Sequence, residues 1–411
     1  MKNIIFKNSI IYLSTEIFNK AIPFLLLPLI TKYLTPTEYG VYGIYQVLIS
    51  FFVPFIGMSL QIHITRNYFK VSKDVLAKIL NSIILLLHIH LFIGLVFIFF
   101  ISLLFENPLG IESDTLYVIP IIIYTQMLNT FNLTILRNRE EALKYGVIQI
   151  IVSFFNFSSV LLLLLFFHLG WMSLVWGVLI GNGIVVLYSL SSMYQNYTLD
   201  MKTFYPFKII YKISLPLIFH LLGGSIIFLS DRVFIQQMEG LEDVGLYTIG
   251  NQFGMITMIV INSIVLAVNP WMYKALANNE KILQKVYLLM SLFFLIGVLV
   301  WLVGDFIFPY MIDAQYLKAK EVIFWISLGF IFRGWYQLFY NVVLNEGKTK
   351  IFMYITFGTG TLNLILNYIL ISQNGMVGAA QATVISFFMM FVLTALYSKK
   401  IYFVKMKNVS N

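Results

Sequence analysis

The sequence predicts an all-α membrane protein with many transmembrane helices. Hydrophobic residues make up 60% of the 411 residues, charged residues only 11%, and the mean hydropathy is +0.87. A soluble domain averages about 25% charged residues, so this chain lacks the polar side chains that an ordinary water-exposed surface needs. The apolar residues also form long uninterrupted runs, and roughly 20 such residues cross a bilayer as a helix.

Twelve runs have the required length. They cover residues 9–31, 41–64, 79–104, 117–136, 146–168, 173–194, 213–237, 246–268, 287–308, 322–344, 351–372 and 377–398. Short turns at 168–172 and 373–378 separate the two closest pairs. The first run contains Glu16 and Lys20 and has no small-residue cleavage site, so we expect a retained span and not a signal peptide.

The basic residues predict the orientation of these spans. Of the 27 Lys and Arg residues, 21 lie in alternate connecting segments, at 2–7, 66–78, 137–144, 202–212, 274–285, 348–350 and 399–407. The opposite segments carry three Lys and eight carboxylates. Excess Lys and Arg mark cytoplasmic segments, so both termini are predicted to be cytoplasmic. The net charge of +9 therefore reflects orientation, and no nucleic-acid partner is predicted.

A repeated segment indicates that the chain is a duplication. The stretch EYGVYGIY at 38–45 returns as DVGLYTIG at 243–250, and both copies open the second span of a half at the outer side. Asn156 and Asn363 also correspond after a two-residue insertion. The predicted domains are 1–198 and 199–411, two parallel six-helix repeats related by an axis along the membrane normal. In each copy the Gly is expected to give close packing or a turn, and the Tyr to anchor at the interface.

Two segments carry a family resemblance. The stretch PLITKYLTPTEYGVY at 28–42 and the stretch from 213 to 254 resemble Wzx-type polysaccharide flippases of the multidrug/oligosaccharidyl-lipid/polysaccharide (MOP) exporter superfamily. The resemblance implies the MOP flippase fold and movement of an undecaprenyl-pyrophosphate-linked oligosaccharide, an O-antigen or capsule repeat unit, across the bacterial inner membrane. It also implies a polymerase and chain-length proteins of the same pathway as candidate partners.

Ionisable residues inside spans are the best guides to a transport pathway. Lys20, Arg232 and Arg333 are predicted to contact the pyrophosphate in a water-filled cavity, because Arg matches phosphate oxygens with a planar fork and Lys acts as a point charge. Glu16 and Asp231 are candidate coupling or gate residues. Two local pairings remain open, namely Glu16 with Lys20 as an i, i+4 ion pair and Asp231 with Arg232 at the bilayer edge.

Polar side chains within the spans are candidates for sugar contacts or for interhelical hydrogen bonds. The five favoured sugar contacts are Asn19, Asn251, Gln252, Trp335 and Asn341. Pro23, Pro28 and Pro216 are expected to bend or break the first and seventh spans, since irregular backbone is tolerated where it lines a cavity.

Other functions are less favoured. A cation-coupled drug exporter of the same superfamily would place acidic residues deep in the spans, whereas the deepest charges here are Lys20 and Arg333. A membrane polysaccharide polymerase or ligase would need a large outer loop, and the longest here have about a dozen residues. We therefore expect no enzyme activity. Without cysteine there is no Cys-based metal site, and no cofactor or metal is expected.

Overall fold

The computed structural model describes the backbone of residues 2–197, 199–200, 202–278, 280–345 and 350–410. Side chains are described for all of these except 2–7, 9–10, 13, 20, 219–220, 223–228, 277, 345, 350 and 401–410. Lys20, one of the predicted pyrophosphate contacts, thus lies outside the described side chains. All regular structure within the described residues is helical, which confirms the predicted all-α class.

The helices follow one another with short connections. In the described residues they are α1 Lys2–Leu25, α2 Leu27–Tyr33, α3 Pro36–Ile56, α4 Gln61–Asn67, α5 Lys73–Leu104, α6 Ser113–Leu116, α7 Val118–Asn138, α8 Ala142–Leu165, α9 Met172–Tyr197, α10 Phe207–Met238, α11 Leu241–Ala277, α12 Leu283–Met311, α13 Lys320–Asn345 and α14 Lys350–Ser410. Short 3₁₀ turns at Pro108–Gly110 and Ala314–Ala319 precede α6 and α13.

By length and composition, nine helical segments of the described chain are long and apolar enough to cross a membrane. They are Pro36–Ile56, Lys73–Leu104, Ser113–Asn138, Ala142–Leu165, Met172–Tyr197, Leu241–Leu276, Leu283–Met311, Ala314–Leu344 and Ile351–Lys400. The last segment contains two of the predicted spans, and predicted spans 9–31 and 213–237 fall on α1–α2 and α10, outside this set. The multi-pass character is confirmed, while twelve spans and their orientation stay predictions.

Proline residues accompany an interruption in the first predicted span but not in the seventh. The first span is interrupted at Leu26, between Pro23 inside α1 and Pro28 in the first turn of α2, as expected from the hydrogen bond that proline removes. At Pro216 the helix α10 continues without interruption, so of the two expected outcomes the break does not occur and the bend stays a prediction. A single proline can curve a helix without ending it.

The predicted run 41–64 is also interrupted, which the sequence reading missed. Helix α3 ends at Ile56 and α4 begins at Gln61. Between them Met58 and Ser59 adopt φ angles of 45° and 51°, a left-handed conformation that no helix can continue. Hydropathy averaged over the run did not reveal the break, although Pro54, Gly57 and Ser59 lie at this point of the sequence.

Both predicted short turns are confirmed. Between α8 and α9, His168 and Gly170 have φ angles of 52° and 56°. Within α14, Gly375 is non-helical, with φ 55° and ψ −141°. The chain then folds back so closely that a Cβ on Gly378 would lie 2.0 Å from the carbonyl oxygen of Leu370. Only glycine fits such a position.

The chain forms two compact units. The first comprises Met1–Leu34 and Val41–Ser225, and the second comprises Thr35–Gly40 and Ile226–Asn411. In the first unit, α7, α8 and α9 pack together and α1 packs on α8; in the second, α11, α12 and α14 pack on α13. The boundary between the units falls inside α10. These units do not test the predicted division into six-helix halves at residue 198, which stays a prediction.

Buried amides connect the helices of the first unit. The Nδ2 of Asn129 donates to the backbone carbonyl of Asn182 at 3.1 Å, and the hydroxyl of Ser189 donates to the Oδ1 of Asn129 at 2.9 Å. The Nδ2 of Asn182 in turn reaches the Oδ1 of Asn156 at 3.5 Å. All these groups lie on α7, α8 and α9, so they act here as interhelical hydrogen bonds.

A carboxylate is one of the groups that hold the segment between α9 and α10 against α5. The Oδ1 of Asp200 accepts hydrogen bonds from the backbone N–H of Lys202 at 3.1 Å and from the Nδ2 of Asn81 at 2.8 Å. The bond from the Lys202 N–H, joined by those of Thr203 and Asn81, lowers the pKa of this carboxyl, because each donor favours the charged form. Asp200 therefore stays ionised and holds this connection in place at neutral pH.

Candidate substrate and coupling sites

One face of α13 carries a line of polar side chains. Arg333, Gln337 and Asn341 follow each other at intervals of four, which places them on the same side of the helix. Tyr336 and Tyr340 lie beside this line, with ring centroids 5.7 Å apart. A helix that buried only apolar surface would show no such stripe.

Each member of the line meets a partner on α11. The Nη1 of Arg333 donates to the sulfur of Met258, and the Nε2 of Gln337 donates to the Oδ1 of Asn262 at 3.0 Å. The Nδ2 of Asn341 donates to the Oδ1 of Asn269 at 2.7 Å. We call Arg333, Gln337 and Asn341 the α13 polar stripe.

The three members differ in how open they are. Asn341 is 4% exposed and also accepts a hydrogen bond from the hydroxyl of Tyr273 at 2.9 Å, so its amide is well satisfied within the protein. Arg333 and Gln337 are half-buried as whole residues, whereas the Oε1 of Gln337 is a buried atom without a hydrogen-bond partner.

A second group of polar side chains surrounds Asp231 on α10. The Oδ2 of Asp231 accepts hydrogen bonds from the hydroxyls of Tyr247 at 2.7 Å and Thr383 at 2.9 Å. The Oδ1 accepts from the Nδ2 of Asn367 at 2.7 Å. Asp231 is 3% exposed, and these donors come from α11 and α14. We call Asp231 and its three donors the Asp231 cluster.

Arg232 points to a different neighbour. Its Nε donates to the hydroxyl of Thr248 at 3.1 Å, and its guanidinium carbon lies 5.9 Å from the centre of the Tyr247 ring. Arg232 is 7% exposed. The three donors to Asp231 are the neutral groups of Tyr247, Asn367 and Thr383, and the adjacent Arg232 is not among them.

The remaining predicted residues lie in varied surroundings. The Nε2 of Gln252 donates to the hydroxyl of Tyr39 at 2.6 Å, and the Nδ2 of Asn251 lies 3.5 Å from the sulfur of Met255. The Nε1 of Trp335 donates to the backbone carbonyl of Met290 at 3.0 Å. Trp335 thus faces α12, away from the α13 polar stripe. The structure joins Arg333 and Asn341 in one stripe and leaves these three outside it.

The predicted residues of α1 belong to the other unit. Asn19 accepts a hydrogen bond from the hydroxyl of Ser153 at 2.7 Å and lies 3.4 Å from the Oε1 of Gln149. Glu16 is exposed. Its predicted pairing with Lys20 lies outside the described side chains.

Sequence reasoning missed the partners of Asp231. Tyr247 is 1% exposed and bonds to the carboxylate, so the expectation that this repeat tyrosine anchors at the interface is wrong. The available signal was the pair Asn363 and Asn367, one helical turn apart within a predicted span. Polar residues at that spacing within a span indicate a polar partner on another helix.

The glycines of the repeated segment face one another in the second unit. A Cβ on Gly40 would lie 1.8 Å from the carbonyl oxygen of Leu241, and a Cβ on Gly245 would lie 1.9 Å from that of Pro36. Because Pro36 and Leu241 are separated by the same 205 positions as Gly40 and Gly245, the contact is reciprocal. The expected close packing is confirmed, and each copy of the repeat is the partner of the other.

No group of three or more His, Cys, Asp or Glu side chains that could hold a metal occurs in the described part of the chain. The chemistry of the two groups is that of binding: a half-buried guanidinium with amides and phenols beside it, and a buried carboxylate held by neutral donors.

Solved membrane transporters share this fold. An inward-facing multidrug resistance MATE family transporter of the MOP superfamily superposes with a TM-score of 0.78, covering 95% of this chain and 96% of the other at 14% identity. The lipid II flippase MurJ in an inward closed conformation gives 0.72, covering 98% and 90% at 17% identity. The class is therefore that of multi-pass membrane proteins with the MOP fold.

The family follows from the sequence models. A model described as polysaccharide biosynthesis protein matches residues 5–276, and the MatE model matches residues 216–369. The chain belongs to the polysaccharide biosynthesis protein family, which confirms the resemblance to Wzx-type flippases.

Two Haemophilus influenzae proteins are similar over most of their length. The Lsg locus putative protein 1 is 23% identical over 360 residues, which cover 84% of this chain and 86% of that protein. An uncharacterized membrane protein is 27% identical over 356 residues, covering 84% and 85%.

Proposed function

We propose that this protein is a flippase for an undecaprenyl-pyrophosphate-linked oligosaccharide, an O-antigen or capsule repeat unit. It moves this lipid from the cytoplasmic to the periplasmic leaflet of a bacterial inner membrane. Family membership supports a role in polysaccharide biosynthesis, and the fold is one used by transporters and a lipid flippase. The proposed activity moves a substrate without changing it, so no catalytic residue is assigned.

The proposed topology has twelve spans in two parallel six-helix repeats, 1–198 and 199–411, with both termini in the cytoplasm. The lopsided distribution of Lys and Arg supports it, because cytoplasmic segments carry the excess of these residues. The two repeats would move against each other by alternating access. Polymerase and chain-length proteins of the same pathway are the proposed partners on the product side.

The observation that carries the proposal is the α13 polar stripe. A half-buried arginine in mid-span costs about 2.5–3.5 kcal/mol on insertion scales, and such residues face the interior of the protein or a water-filled cavity and often mark substrate pathways. Arg333 offers the forked donors that a pyrophosphate accepts, and Gln337 beside it carries an amide that can both donate to and accept from sugar hydroxyls. Arg232 and Lys20 remain proposed pyrophosphate contacts, but Arg232 is buried against Thr248.

The other predicted sugar contacts differ in the hydrogen bonds that they already make within the protein. Asn251 and Gln252 are half-buried and remain proposed contacts, as does Asn19 in the first unit. Trp335 and Asn341 already bond to the backbone of Met290 and to Asn269, so a sugar would have to displace these bonds. We therefore place Arg333 and Gln337 first.

The energy for transport has two proposed sources. In an inside-negative cell, each negative charge that moves outward gains about 2.3 kcal/mol per 100 mV, and a pyrophosphate with two charges gains about twice that. Asp231 is the proposed coupling residue, because a buried carboxylate held by neutral donors can bind a proton or a sodium ion as it changes partners. Glu16, which is exposed in α1, is the second coupling candidate.

Substitution of Arg333 tests the proposal. In a strain that lacks its own flippase for the matching repeat unit, Arg333→Ala should lower surface polysaccharide at least tenfold, since a charge-assisted hydrogen bond contributes about 1.5–3 kcal/mol. Arg333→Lys should restore part of it, because the charge remains while the fork is lost. Immunoblots of the membrane fraction verify that each variant is present.

The exposed cation Lys208 provides a matched control. Lys208→Ala removes one charge outside the predicted spans and should leave surface polysaccharide unchanged. Normal polysaccharide from Arg333→Ala, or equal loss from both variants, would show that Arg333 does not contact the substrate.

The alternative is a cation-coupled exporter of small drugs. It is favoured by the MatE match to residues 216–369 and by the MATE structure. Ethidium accumulation in cells discriminates the two functions: an exporter lowers ethidium fluorescence when expressed, whereas the proposed flippase leaves it unchanged. A cationic dye is also a poor ligand for Arg333, which is why we place this function second.

A further inference from the structure

A groove on the first unit lies apart from the candidate sites described above. It has a volume of about 480 Å³ and runs between α8 and α9. Its lining is apolar except for one charged residue and one phenol, and comprises Leu143, Lys144, Val147, Ile148, Ile151, Phe155, Ile184, Val185 and Tyr188. We call it the α8–α9 groove.

The groove is concave, with a buried floor and exposed walls. Ile148 and Val185 at the floor are 5% and 3% exposed, whereas Val147 and Ile184 on the walls are 55% and 42% exposed. Exposed apolar side chains of a membrane protein face lipid. A concave surface between two helices therefore offers hydrocarbon chains more contact than the convex remainder of the helices.

The length of the groove matches one leaflet. From Lys144 to Phe155 is eleven residues, or about 16 Å of helix at 1.5 Å per residue. This is close to half of the roughly 30 Å hydrocarbon core. A chain that entered at Lys144 would therefore reach the middle of the bilayer, as an acyl chain of an ordinary phospholipid does.

The charge at the mouth favours an anionic headgroup. The side chain of Lys144 is 66% exposed, and its ammonium pairs with Glu141 at 2.6 Å, which uses one of its three N–H donors. Tyr188 stands on the opposite wall, half exposed, where its hydroxyl can meet the glycerol region. The adjoining segment carries Arg137 and Arg139 as well as Glu140 and Glu141, so with Lys144 it has one more cation than carboxylates, and juxtamembrane cations attract anionic lipid.

We propose that the α8–α9 groove binds an acyl chain of an anionic phospholipid of the cytoplasmic leaflet, whose phosphate contacts Lys144. The assignment to the cytoplasmic leaflet rests on the orientation given under the proposed function, whereas the groove and Lys144 do not depend on it. The bound lipid would pack against α8 and α9 as a fixed component of the first unit. The lipid-linked substrate is not its occupant, because the groove is only one leaflet long and holds one cation at its mouth.

Native mass spectrometry of the purified full-length chain tests this. The probes are phosphatidylglycerol, phosphatidylcholine and undecaprenyl phosphate, added singly and in competition. The unsubstituted protein should retain phosphatidylglycerol in preference to phosphatidylcholine. Lys144→Gln should lower this retention about fivefold, since one lysine near a membrane surface contributes about 1 kcal/mol, and Lys144→Arg should preserve it.

Two matched controls separate the groove from general effects. Lys208→Gln removes an exposed charge elsewhere in the same unit and should leave retention unchanged. Val147→Phe fills the groove and should lower retention of both phospholipids, whereas Leu162→Phe, at an exposed site further along α8, should lower neither. Size-exclusion profiles show whether each variant is folded.

Three results would overturn the proposal: equal retention of the two phospholipids, unchanged retention in both Lys144→Gln and Val147→Phe, or displacement of phosphatidylglycerol by equimolar undecaprenyl phosphate. Binding is measured here without transport. If the lipid-binding test fails while Arg333→Ala abolishes surface polysaccharide, the proposed flippase function is unaffected. If phosphatidylglycerol binds as expected while Arg333→Ala leaves polysaccharide normal, the lipid site is unaffected.

Discussion

At the scale of single residues, the sequence identified which charges matter but not what surrounds them. Asp231 and Arg333 were recognisable because ionisable groups in apolar runs are rare and costly. The partners of Asp231 lie 16, 136 and 152 positions away, on helices whose packing no local pattern encodes. The i, i+4 spacing of Arg333, Gln337 and Asn341 could be read directly, whereas the α11 amides that face them could not.

The Asp231 cluster should respond differently to two substitutions. Asp231→Leu removes the acceptor from three buried donors, each of which costs about 1–3 kcal/mol when left unsatisfied, and should lower the thermal midpoint of the purified protein by several degrees. Asp231→Asn keeps one acceptor oxygen and the shape of the side chain, and should stay closer to the unsubstituted protein. Fluorescence-detected size exclusion after heating measures both.

Transport by the Asp231→Asn variant tests the proposed coupling role of Asp231. In proteoliposomes with an imposed sodium or proton gradient, Asp231→Asn should lose the stimulation that the gradient gives to the unsubstituted protein, while Arg333→Ala should lose transport in all conditions. A gradient response that survives Asp231→Asn would contradict coupling through this residue and leave the membrane potential as the energy source.

At the scale of helices, capping and glycine contacts explain where α3 begins and what it packs on. The backbone N–H of Thr35 donates to Glu38 at 2.9 Å and the Glu38 N–H donates to the Thr35 hydroxyl at 3.2 Å, a capping box with Pro36 as the first helical residue. The acidic residue of the repeat is therefore a helix-start residue. Hydropathy alone placed the start of this helix five residues too late, at 41, because it does not register caps.

The reciprocal glycine contact gives a prediction at this scale. Gly40→Ala would place a methyl group 1.8 Å from the Leu241 carbonyl oxygen, so the starts of α3 and α11 must move apart, and the thermal midpoint should fall. Gly358→Ala is the matched control, because a Cβ there meets nothing within 4 Å. In a helix interior that exchange is favourable by up to about 1 kcal/mol.

The comparison of the two variants decides the point. Equal midpoints for Gly40→Ala and Gly358→Ala in detergent or in nanodiscs would show that the backbone contact contributes nothing to stability. A decrease for Gly40→Ala with an unchanged or raised midpoint for Gly358→Ala is the expected result.

At the scale of the molecule, composition was sufficient for the class and insufficient for the substrate. Sixty percent hydrophobic residues and the alternation of Lys-rich and acidic segments describe a multi-pass helical protein, because the bilayer allows few other solutions. Sugars are recognised by a few hydroxyl contacts whose positions depend on helix packing. That dependence is why Asn19, Asn251 and Gln252 were readable only as polar residues within spans.

The proposed orientation can be tested on the unaltered background, since the chain contains no cysteine. Single substitutions Glu106→Cys and Lys318→Cys should react with a membrane-impermeant maleimide in spheroplasts. Lys70→Cys and Lys202→Cys should react only after the membrane is opened. All four positions are exposed, so access to solvent is matched, and a reversed pattern would invert the topology.

The contact between Gly40 and Gly245 also bears on how the chain arose. In a dimer of half-length chains related by a twofold axis, a single glycine would appear on both sides of the same contact, as isologous interfaces require. After fusion of two gene copies, the same contact would depend on two glycine positions in one gene, where a single position had served before. If the predicted duplication holds, a substitution at one glycine could no longer be matched by the same change at the other, and each half would need its own glycine.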